Sequence, residues 1–294
     1  MKNYYENKNI VVTGGSSGLG RALSIEMASR GAKKFVIADL NEVRAEETLA
    51  MIRDRGGDGI FVRTDTSELA EVEALGQKAK DYLGCIDMAF NNAGVAGGGD
   101  FLDTSEEDWQ WLMSINFTGV MYGCRVFGKI MSEQRHGGHI VNTASLAAFG
   151  CLPGMSLYNT SKAAVMMFSE TLRAEWSGLG IRVSAICPSF FKTNLAERTR
   201  TTTPELDVLT KRLLTKNNVS ADLIASRALD QIAKNKLYVL PTFDAKIMWR
   251  LRRWFPMAQI RMFGAGYPFA QKQINKLGAR INARKAKNKL KKVA

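Results

Sequence analysis

The sequence predicts an α/β fold in which parallel strands form a doubly wound sheet with helices on both faces. Short apolar segments rich in β-branched residues alternate along the chain with longer segments of helical periodicity. The first predicted strand runs directly into a glycine-rich turn and a helix, and later strands end in polar residues. Because open sheets of this kind bind ligands at the carboxyl ends of their strands, we expect the functional site there.

With 294 residues, of which 46% are apolar, the chain can bury a large core. We expect one domain over residues 1–240 and an extension over 241–294. No run of about 18 apolar residues is present, and residues 1–9 lack the apolar core of a signal peptide, so a cytoplasmic protein is expected. The four cysteines are scattered and only two histidines are present, so neither disulfides nor a metal site is expected.

The net charge of +13 belongs to the extension. Of 41 Lys and Arg and 28 Asp and Glu in the chain, 14 bases and one acid, Asp244, lie from Pro241 onward. This leaves 27 charges of each sign in the preceding 240 residues. Because the domain is neutral, nucleic acid is not expected as its partner.

A strand, a glycine turn and a helix follow one another near the start of the chain. The apolar run Asn9–Val12 precedes the turn Thr13–Gly20, which has the sequence T-G-G-S-S-G-L-G. This order predicts a dinucleotide site in which Gly14 permits a tight turn, Gly18 lets the backbone approach the pyrophosphate and Gly20 packs closely. The other cofactor-binding candidates of the turn are Ser16, Ser17 and Leu19. The alternative is a glycine-rich turn that binds no ligand.

The second predicted strand, Lys34–Ala38, ends in Asp39, which lies 19 residues after Gly20. An acid at this distance is expected to bind the ribose hydroxyl of NAD, and it would repel the 2′-phosphate of NADP. NAD is therefore favoured, although Arg44 keeps NADP possible. The alternative is that Asp39 caps the following helix, predicted over residues 42–55.

Polar residues also follow the third and fourth predicted strands. Asp65, with Thr66 beside it, follows the strand Gly59–Val62 and could bind adenine or cap a helix. An amide pair and a glycine follow the strand Ile86–Phe90, which suits a turn beneath the nucleotide. The cofactor-binding candidates in this turn are Asn92, Ala93 and Gly94.

Asn116 lies in the middle of a long helical segment predicted over residues 104–132. Asparagine is a mediocre helix former, so its position there suggests a local kink with a bound water. The alternative is a buried amide whose hydrogen bonds are satisfied by the core.

Three polar residues form the centre of the candidate catalytic group. Ser145 lies just beyond the predicted strand His139–Val141, and Tyr158 and Lys162 share one face of a helix because they are four residues apart. A nearby cation favours the phenolate, so we expect Lys162 to lower the pKa of Tyr158 and permit acid/base chemistry near neutrality. The alternative is a half-buried tyrosine beside an exposed lysine.

In order and spacing, these motifs resemble the one-domain branch of the short-chain dehydrogenase/reductase superfamily over about residues 8–240. The resemblance rests on Thr13–Gly20, Asp65, Asn91–Gly94, Asn116, Ser145, Tyr158 with Lys162, and Pro188–Thr193. It implies a Rossmann-like, seven-stranded, doubly wound sheet and hydride transfer with a nicotinamide cofactor. It also implies a homo-oligomer, either a dimer or a tetramer.

The resemblance assigns roles to the candidate catalytic residues. Tyr158 is implied as general acid/base, Lys162 as the group that lowers its pKa and binds the nicotinamide ribose, and Ser145 as the group that polarises the substrate oxygen. Asn116 is implied to anchor a water that passes protons from Lys162 to solvent.

One motif departs from the family pattern. The family usually has Pro-Gly after the sixth strand, whereas this chain has Pro188 followed by Ser189. By analogy, the amide of Phe191 and the hydroxyl of Thr193 would hold the nicotinamide carboxamide. The resemblance also implies that the polar segment 195–219 covers the substrate.

The extension is predicted to be amphipathic and basic. An apolar helical face that ends at Pro256 contains Ile247, Met248, Leu251, Trp254 and Phe255. Further on, Arg280–Lys292 is lysine-rich and has no acid. These features predict a peripheral membrane surface. The alternatives are packing on the enzyme's own pocket or on a second subunit, and nucleic-acid binding.

The sequence therefore predicts an NAD(P)-dependent oxidoreductase that acts on an alcohol or carbonyl group of a small lipophilic substrate. A steroid, a retinoid or a long-chain alcohol, aldehyde or ketone would fit a membrane-associated enzyme. The rival hypotheses are a non-catalytic nucleotide-sensing or scaffold protein on the same fold, and an epimerase or dehydratase.

Overall fold

The computed structural model describes the backbone of residues 3–134, 136–215 and 217–293, and the side chains of these residues except 213, 275 and 277–293. The strands in these ranges are β1 Asn9–Thr13, β2 Lys34–Asp39, β3 Asp58–Arg63, β4 Met88–Asn91, β5 Ala96–Gly98, β6 Gly138–Thr143, β7 Ile181–Ile186, β8 Thr199–Thr201 and β9 Tyr238–Val239. Seven strands form one parallel sheet in the order β3-β2-β1-β4-β6-β7-β9, and β5 pairs with β8 separately. The predicted doubly wound, seven-stranded sheet is confirmed.

Helices cover both faces of this sheet. They are α1 Gly18–Ser29, α2 Glu42–Arg53, α3 Leu69–Leu83, α4 Glu106–Met113, α5 Gly119–Glu133, α6 Ala147–Gly150, α7 Ser156–Glu175, α8 Pro204–Thr215, α9 Ala221–Ala233, α10 Phe243–Trp254 and α11 Pro256–Val293. On one face, α1 and α9 bury Leu23 and Leu229 in a core cluster. On the other face, α5 and α7 bury Phe127 and Val165. The sheet therefore separates two apolar cores.

The strand order reverses between β1 and β4, which lie side by side in the centre of the sheet. Val11 pairs with Ala89 and Val12 with Phe90, so the two strands end at the same level. The turns that follow them therefore open into one crevice at the carboxyl edge of the sheet, where such folds bind ligands.

The helical segment predicted over 104–132 is interrupted where Asn116 lies. A π-helical turn covers Ser114–Thr118 between α4 and α5. Turns of this kind are rare and occur frequently at functional sites. The polar segment 195–219, for which no secondary structure was predicted, contains β8 and α8.

The extension forms α10 and α11, and Pro256 is the first residue of α11, a position that proline tolerates. The predicted apolar face of α10 is divided between two environments. Met248 packs against the core, whereas Ile247 and Trp254 are exposed. In the part of the chain that the structure describes, no helix is both long enough and apolar enough to cross a bilayer.

Candidate active site

The glycine turn between β1 and α1 has the backbone geometry that its sequence predicts. Gly14 has a φ of 64° and Gly18 a φ of 53°, both in the left-handed region that favours glycine. A Cβ atom at Gly20 would overlap the carbonyl oxygen of Gly14, so a larger residue does not fit there. The three glycines therefore allow β1, the turn and α1 to pack closely.

The same turn leaves a cradle that fits the pyrophosphate of a dinucleotide. A Cβ atom at Gly18 would lie 2.8 Å from the hydroxyl oxygen of Thr193, so the turn and the loop after β7 approach each other closely. Ser17 precedes α1 but makes no side-chain capping hydrogen bond. The first amides of the helix therefore face the crevice without a side-chain cap, and a helix N-terminus favours anions. Ser16 and Leu19 are buried beside this cradle.

Asp39 faces the glycine turn from the end of β2. Its carboxylate accepts hydrogen bonds from the backbone N–H of Ser16 at 3.1 Å and of Leu40 at 2.7 Å. The N-cap of α2 is Asn41, whose side chain accepts from the backbone N–H of Arg44, so Asp39 does not cap this helix. The carboxylate thus lies beside the turn, where a ribose would be bound.

Arg44 is engaged by a second acid. Its guanidinium forms an ion pair of 2.6 Å with Glu197, in the segment that follows Thr193. This pairing raises the pKa of Arg44 and lowers the pKa of Glu197 through their mutual hydrogen bond. A 2′-phosphate would therefore compete with Glu197 for this cation.

The turn after β4 ties three strand ends together. The Asn92 side-chain amide donates to the carbonyl oxygens of Thr13 and Gly14, each at 3.2 Å, and its oxygen accepts from the Thr143 hydroxyl at 3.2 Å. The backbone N–H of Ala93 donates to the Thr13 hydroxyl at 3.1 Å. A Cβ atom at Gly94 would lie 3.6 Å from the Lys162 Nζ, so this glycine borders the catalytic group.

Asp65 has a local partner after β3. Its carboxylate accepts hydrogen bonds from the backbone N–H of Ser67 at 2.9 Å and from the Ser67 hydroxyl at 2.7 Å. Thr66 is buried and packs against Gly119 of α5. Asp65 thus stabilises the turn that leads into α3, and its second carboxylate oxygen remains for a ligand.

Helix α7 brings Tyr158 and Lys162 together, as their spacing predicts. The Lys162 Nζ lies 5.8 Å from the centre of the Tyr158 ring and donates a hydrogen bond of 2.9 Å to the carbonyl oxygen of Thr143. Ser145 follows β6 and borders the same cavity as Tyr158. The structure therefore assembles the predicted Ser, Tyr and Lys group at the carboxyl edge of the sheet.

Burial dominates the electrostatics of this group. It raises the pKa of the Tyr158 phenol, and a hydrogen bond with Ser145 only partly opposes this. Burial also lowers the pKa of Lys162 to about 8, against an opposing effect of Cys187. The lowering of the Tyr158 pKa by Lys162 stays a prediction.

Asn116 is completely buried in the π-helical turn. Its side-chain oxygen accepts from the backbone N–H of Val95 at 2.8 Å. Its amide nitrogen donates to the Val95 carbonyl oxygen at 3.0 Å and to the Ser161 hydroxyl at 3.3 Å. This arrangement is that of a satisfied core amide, which fixes the segment after Gly94 next to α7.

The loop after β7 is fixed to its surroundings at both ends. The Pro188 carbonyl accepts from the backbone N–H of Leu146 at 2.9 Å, and Phe191 is buried. Ser189 is not in the left-handed region, so its backbone does not require glycine. Its hydroxyl donates to the carboxylate of Asp244 at the start of α10, which links this loop to the extension.

An apolar cavity of about 540 Å³ opens beside Ser145 and Tyr158. Phe190 and Phe191 border it, so the apolar pocket expected from these two residues is present. α8 contributes Leu206, Leu209 and Leu214 to the walls, and α11 contributes residues between Met262 and Ile274. The inner side of the extension therefore packs on the enzyme's own pocket, which was one of the predicted alternatives.

Sequence reasoning missed several residues that build the site. The Thr13 hydroxyl accepts from the amides of Asn92 and Ala93, and the Thr143 carbonyl accepts from Lys162. Thr13 and Thr143 both occupy the last position of a strand, which is the signal that could have identified them. Asp244 is the only acid of the extension, and an isolated acid in a basic segment could have indicated a specific contact.

Known proteins share this sequence pattern. The family model for short chain dehydrogenases matches residues 8–204. Over 206 residues, the chain is 39% identical to the probable oxidoreductase EphD of Mycobacterium tuberculosis, with 70% of this chain and 35% of that protein covered. The chain thus spans about a third of the length of this mycobacterial relative.

Solved structures share the fold as well. A short chain dehydrogenase/reductase from Burkholderia phymatum in complex with NAD has a TM-score of 0.80 and 35% identity, covering 85% of this chain and 94% of that chain. A short-chain dehydrogenase from Sphingobium yanoikuyae in complex with NADPH has a TM-score of 0.70 and 25% identity, covering 87% and 94%. With its sheet order, glycine turn and Ser, Tyr and Lys group, the chain belongs to the short-chain dehydrogenase/reductase family.

Proposed function

We propose that the protein is an oxidoreductase that transfers a hydride between a nicotinamide cofactor and an alcohol or carbonyl group of an apolar substrate. The observation that supports this most is the position of Ser145 and Tyr158 in the lining of an apolar cavity of about 540 Å³. Cavities of this size and composition suit a small lipophilic ligand with one polar group. A steroid, a retinoid or a long-chain alcohol, aldehyde or ketone has this chemistry.

In this proposal, the substrate oxygen lies between Ser145 and Tyr158. The Ser145 hydroxyl orients and polarises that oxygen, and the Tyr158 hydroxyl gives it a proton during reduction or takes one during oxidation. Lys162 stabilises the phenolate and binds the nicotinamide ribose. A bound cofactor would supply the hydride acceptor or donor.

Each group of cofactor-binding candidates would hold a different part of the cofactor. The glycine turn would bind the pyrophosphate, Asp39 the adenosine ribose, and Asp65 with Thr66 the adenine. The turn Asn92–Gly94 would lie beneath the nucleotide. The loop after β7 would hold the carboxamide through the Phe191 amide and the Thr193 hydroxyl, with Pro188 fixing its start.

NAD is the proposed cofactor. Asp39 lies next to the glycine turn, where its charge would repel a 2′-phosphate, and Arg44 is paired with Glu197. One similar solved structure contains NAD and another contains NADPH. These structures therefore support a nicotinamide cofactor but do not distinguish NAD from NADP. The preference for NAD therefore rests on these side chains.

A nucleotide-sensing or scaffold protein is the rival that would share the fold. It would not need Tyr158 and Lys162 next to each other beside Ser145. Turnover separates the two: the purified chain is mixed with NAD and a panel of apolar alcohols, and NADH formation is followed at its absorbance band. NADH formation supports the oxidoreductase, whereas tight NAD binding with no NADH formation from any alcohol of the panel supports the sensor.

Two expectations about partners remain part of the proposal. The outer side of the extension exposes Phe243, Trp254 and Phe255 near Arg250 and Arg253, which supports contact with an anionic membrane surface. Flotation with anionic and neutral vesicles tests it, with a Trp254→Glu and Phe255→Glu double variant as control. The homo-oligomer implied by the family is tested by light scattering of the purified chain.

A further inference from the structure

Helix α11 forms a wall of the substrate cavity although it lies beyond the residues matched by the family model. Phe263, Gly266, Tyr267, Ala270 and Ile274 line the cavity from this helix. Their spacing of three or four residues places them on one helical face. The rest of the lining comes from α8, which packs against α11, and from residues near Tyr158, so the extension and the domain line one cavity together.

Two polar anchors hold this wall in place. Near the start of α11, the completely buried Gln259 donates a hydrogen bond of 2.8 Å to the carbonyl oxygen of Phe149. Further along, Asp100 accepts hydrogen bonds from the hydroxyl of Tyr267 and from the Gln271 side-chain amide, the latter at 2.9 Å. Because each anchor needs a specific partner in the domain, the helix has a defined position over the cavity.

Gly266 lies at the centre of the cavity-lining face. A Cβ atom built at this position would meet no other atom within 4 Å. Glycine in a helix interior costs about 1 kcal/mol relative to alanine, so its presence here is unfavourable for the helix itself. The space that it leaves is available to the body of a ligand.

We propose that α11 is the specificity-determining wall of the cavity, with Gly266 setting its width and Asp100 acting as a positioning residue. A substrate with an elongated apolar body lies along α8 and α11, with its oxygen at Ser145 and Tyr158. The identity of the reaction in this inference rests on the proposed function. The position of the ligand rests on the cavity lining alone.

Gly264 provides a matched control for this inference. Like Gly266, it lies in α11, and a Cβ atom built there also meets no atom within 4 Å. Both glycines are exposed, but Gly264 does not line the cavity. Replacing either glycine with leucine changes helix propensity equally, so a difference between the two variants reports on the cavity.

The experiment compares the full-length chain with Gly266→Leu and Gly264→Leu, using 2-butanol and 2-decanol as substrates and NAD as cofactor. Gly266→Leu is expected to raise the KM for 2-decanol about tenfold or more while changing the KM for 2-butanol and NAD less than about twofold. Gly264→Leu is expected to leave all three unchanged. Equal effects of the two substitutions, or no effect of Gly266→Leu, would overturn the inference.

A binding measurement keeps this test independent of turnover. The fluorescent apolar probe 1-anilinonaphthalene-8-sulfonate is titrated into the same three proteins. Weaker probe binding to Gly266→Leu alone supports the inference that α11 borders the bound ligand. This result holds even if neither alcohol is oxidised, in which case only the proposed reaction fails. Identical probe binding by all three proteins contradicts the inference that α11 borders the bound ligand.

The Asp100 anchor is tested in the same assays. Asp100→Ala removes the acceptor for Tyr267 and Gln271 and is expected to raise the KM for 2-decanol about threefold to tenfold with little change in kcat. Asp100→Asn retains an acceptor oxygen and is expected to restore most of the loss. A fall in kcat for both alcohols, unrescued by asparagine, would contradict a positioning role.

Discussion

The ammonium nitrogen of Lys162 lies 5.8 Å from the centre of the Tyr158 ring, one helical turn away on α7. Lys162 is buried and Tyr158 is half-buried, and the loss of water raises the pKa of Tyr158 while it lowers the pKa of Lys162 to about 8. Phenol with neutral amine and phenolate with ammonium contain the same number of protons. Because the two residues are neighbours on α7, we expect their titrations to be coupled.

This pairing predicts the pH dependence of alcohol oxidation. The general base is the phenolate, and the state that contains it forms when the pair loses its first proton. Since that loss is governed by the Lys162 pKa of about 8, kcat/KM for oxidation is expected to rise with pH and level off with an apparent pKa near 8. Initial rates between pH 6 and pH 9.5 measure it.

Lys162→Met supplies the control for the pH profile. Without the amine, the first proton must come from the phenol, whose pKa burial raises. The rise in kcat/KM should therefore move to higher pH, and the rate at pH 7 should fall about 100-fold or more. An unchanged profile in this variant would show that another group is the base.

Asp39 is expected to determine the choice between NAD and NADP. Asp39→Ala removes the carboxylate that faces the glycine turn, so the repulsion of a 2′-phosphate and a hydrogen bond to the ribose are both lost. The ratio of kcat/KM for NAD to that for NADP should fall about 100-fold. Glu42→Ala, which removes an exposed acid three residues later, should leave the ratio unchanged.

Asn116 is expected to contribute mainly to stability. Asn116→Ala would leave the buried backbone N–H and C=O of Val95 without their partners and should lower the free energy of unfolding by about 2–4 kcal/mol. Ser114→Ala, which removes only a local bond to the Trp111 carbonyl, should cost about 0.5 kcal/mol. Urea denaturation measures both.

Turnover by the folded fraction of Asn116→Ala distinguishes the two roles considered for this residue. The satisfied amide predicts that kcat changes less than about threefold. A loss of more than about tenfold would instead support the water relay implied by the family resemblance.

Ser189 and Asp244 are expected to be coupled in cofactor binding. Burial acts to raise the pKa of Asp244, but hydrogen bonds from the Ser189 hydroxyl and the Ala245 backbone N–H oppose it and the pKa is lowered, so the carboxylate is charged at neutral pH. In a double-mutant cycle of Ser189→Gly and Asp244→Ala, the NAD dissociation constants should show a coupling of about 0.5–1.5 kcal/mol. Additive effects would mean that this contact does not order the cofactor loop.

Local sequence was sufficient to predict the sheet and the cofactor crevice. Gly14 and Gly18 have the positive φ angles that a turn between a strand and a helix requires, and Asp39 lies beside that turn. The spacing of Tyr158 and Lys162 also predicted their proximity, because helical periodicity fixes the face on which residues lie.

Features that depend on contacts between distant segments were not predictable from the sequence. Asp100 and Tyr267 are 167 residues apart, and no local pattern indicates that they meet. The periodicity of α10 predicted an apolar face but not that Met248 would be buried while Trp254 is exposed. The burial that raises the pKa of Tyr158 was not predictable either, since it is set by the whole fold.

The central claim is that the Tyr158 hydroxyl exchanges a proton with the substrate while the cofactor exchanges hydride. The most direct measurement compares the parent protein with Tyr158→Phe for NAD binding, by fluorescence titration, and for oxidation of 2-decanol at pH 8. The proposal predicts an NAD dissociation constant within about threefold of the parent and a kcat lower by about 100-fold or more. Oxidation at the parental rate by Tyr158→Phe would contradict it.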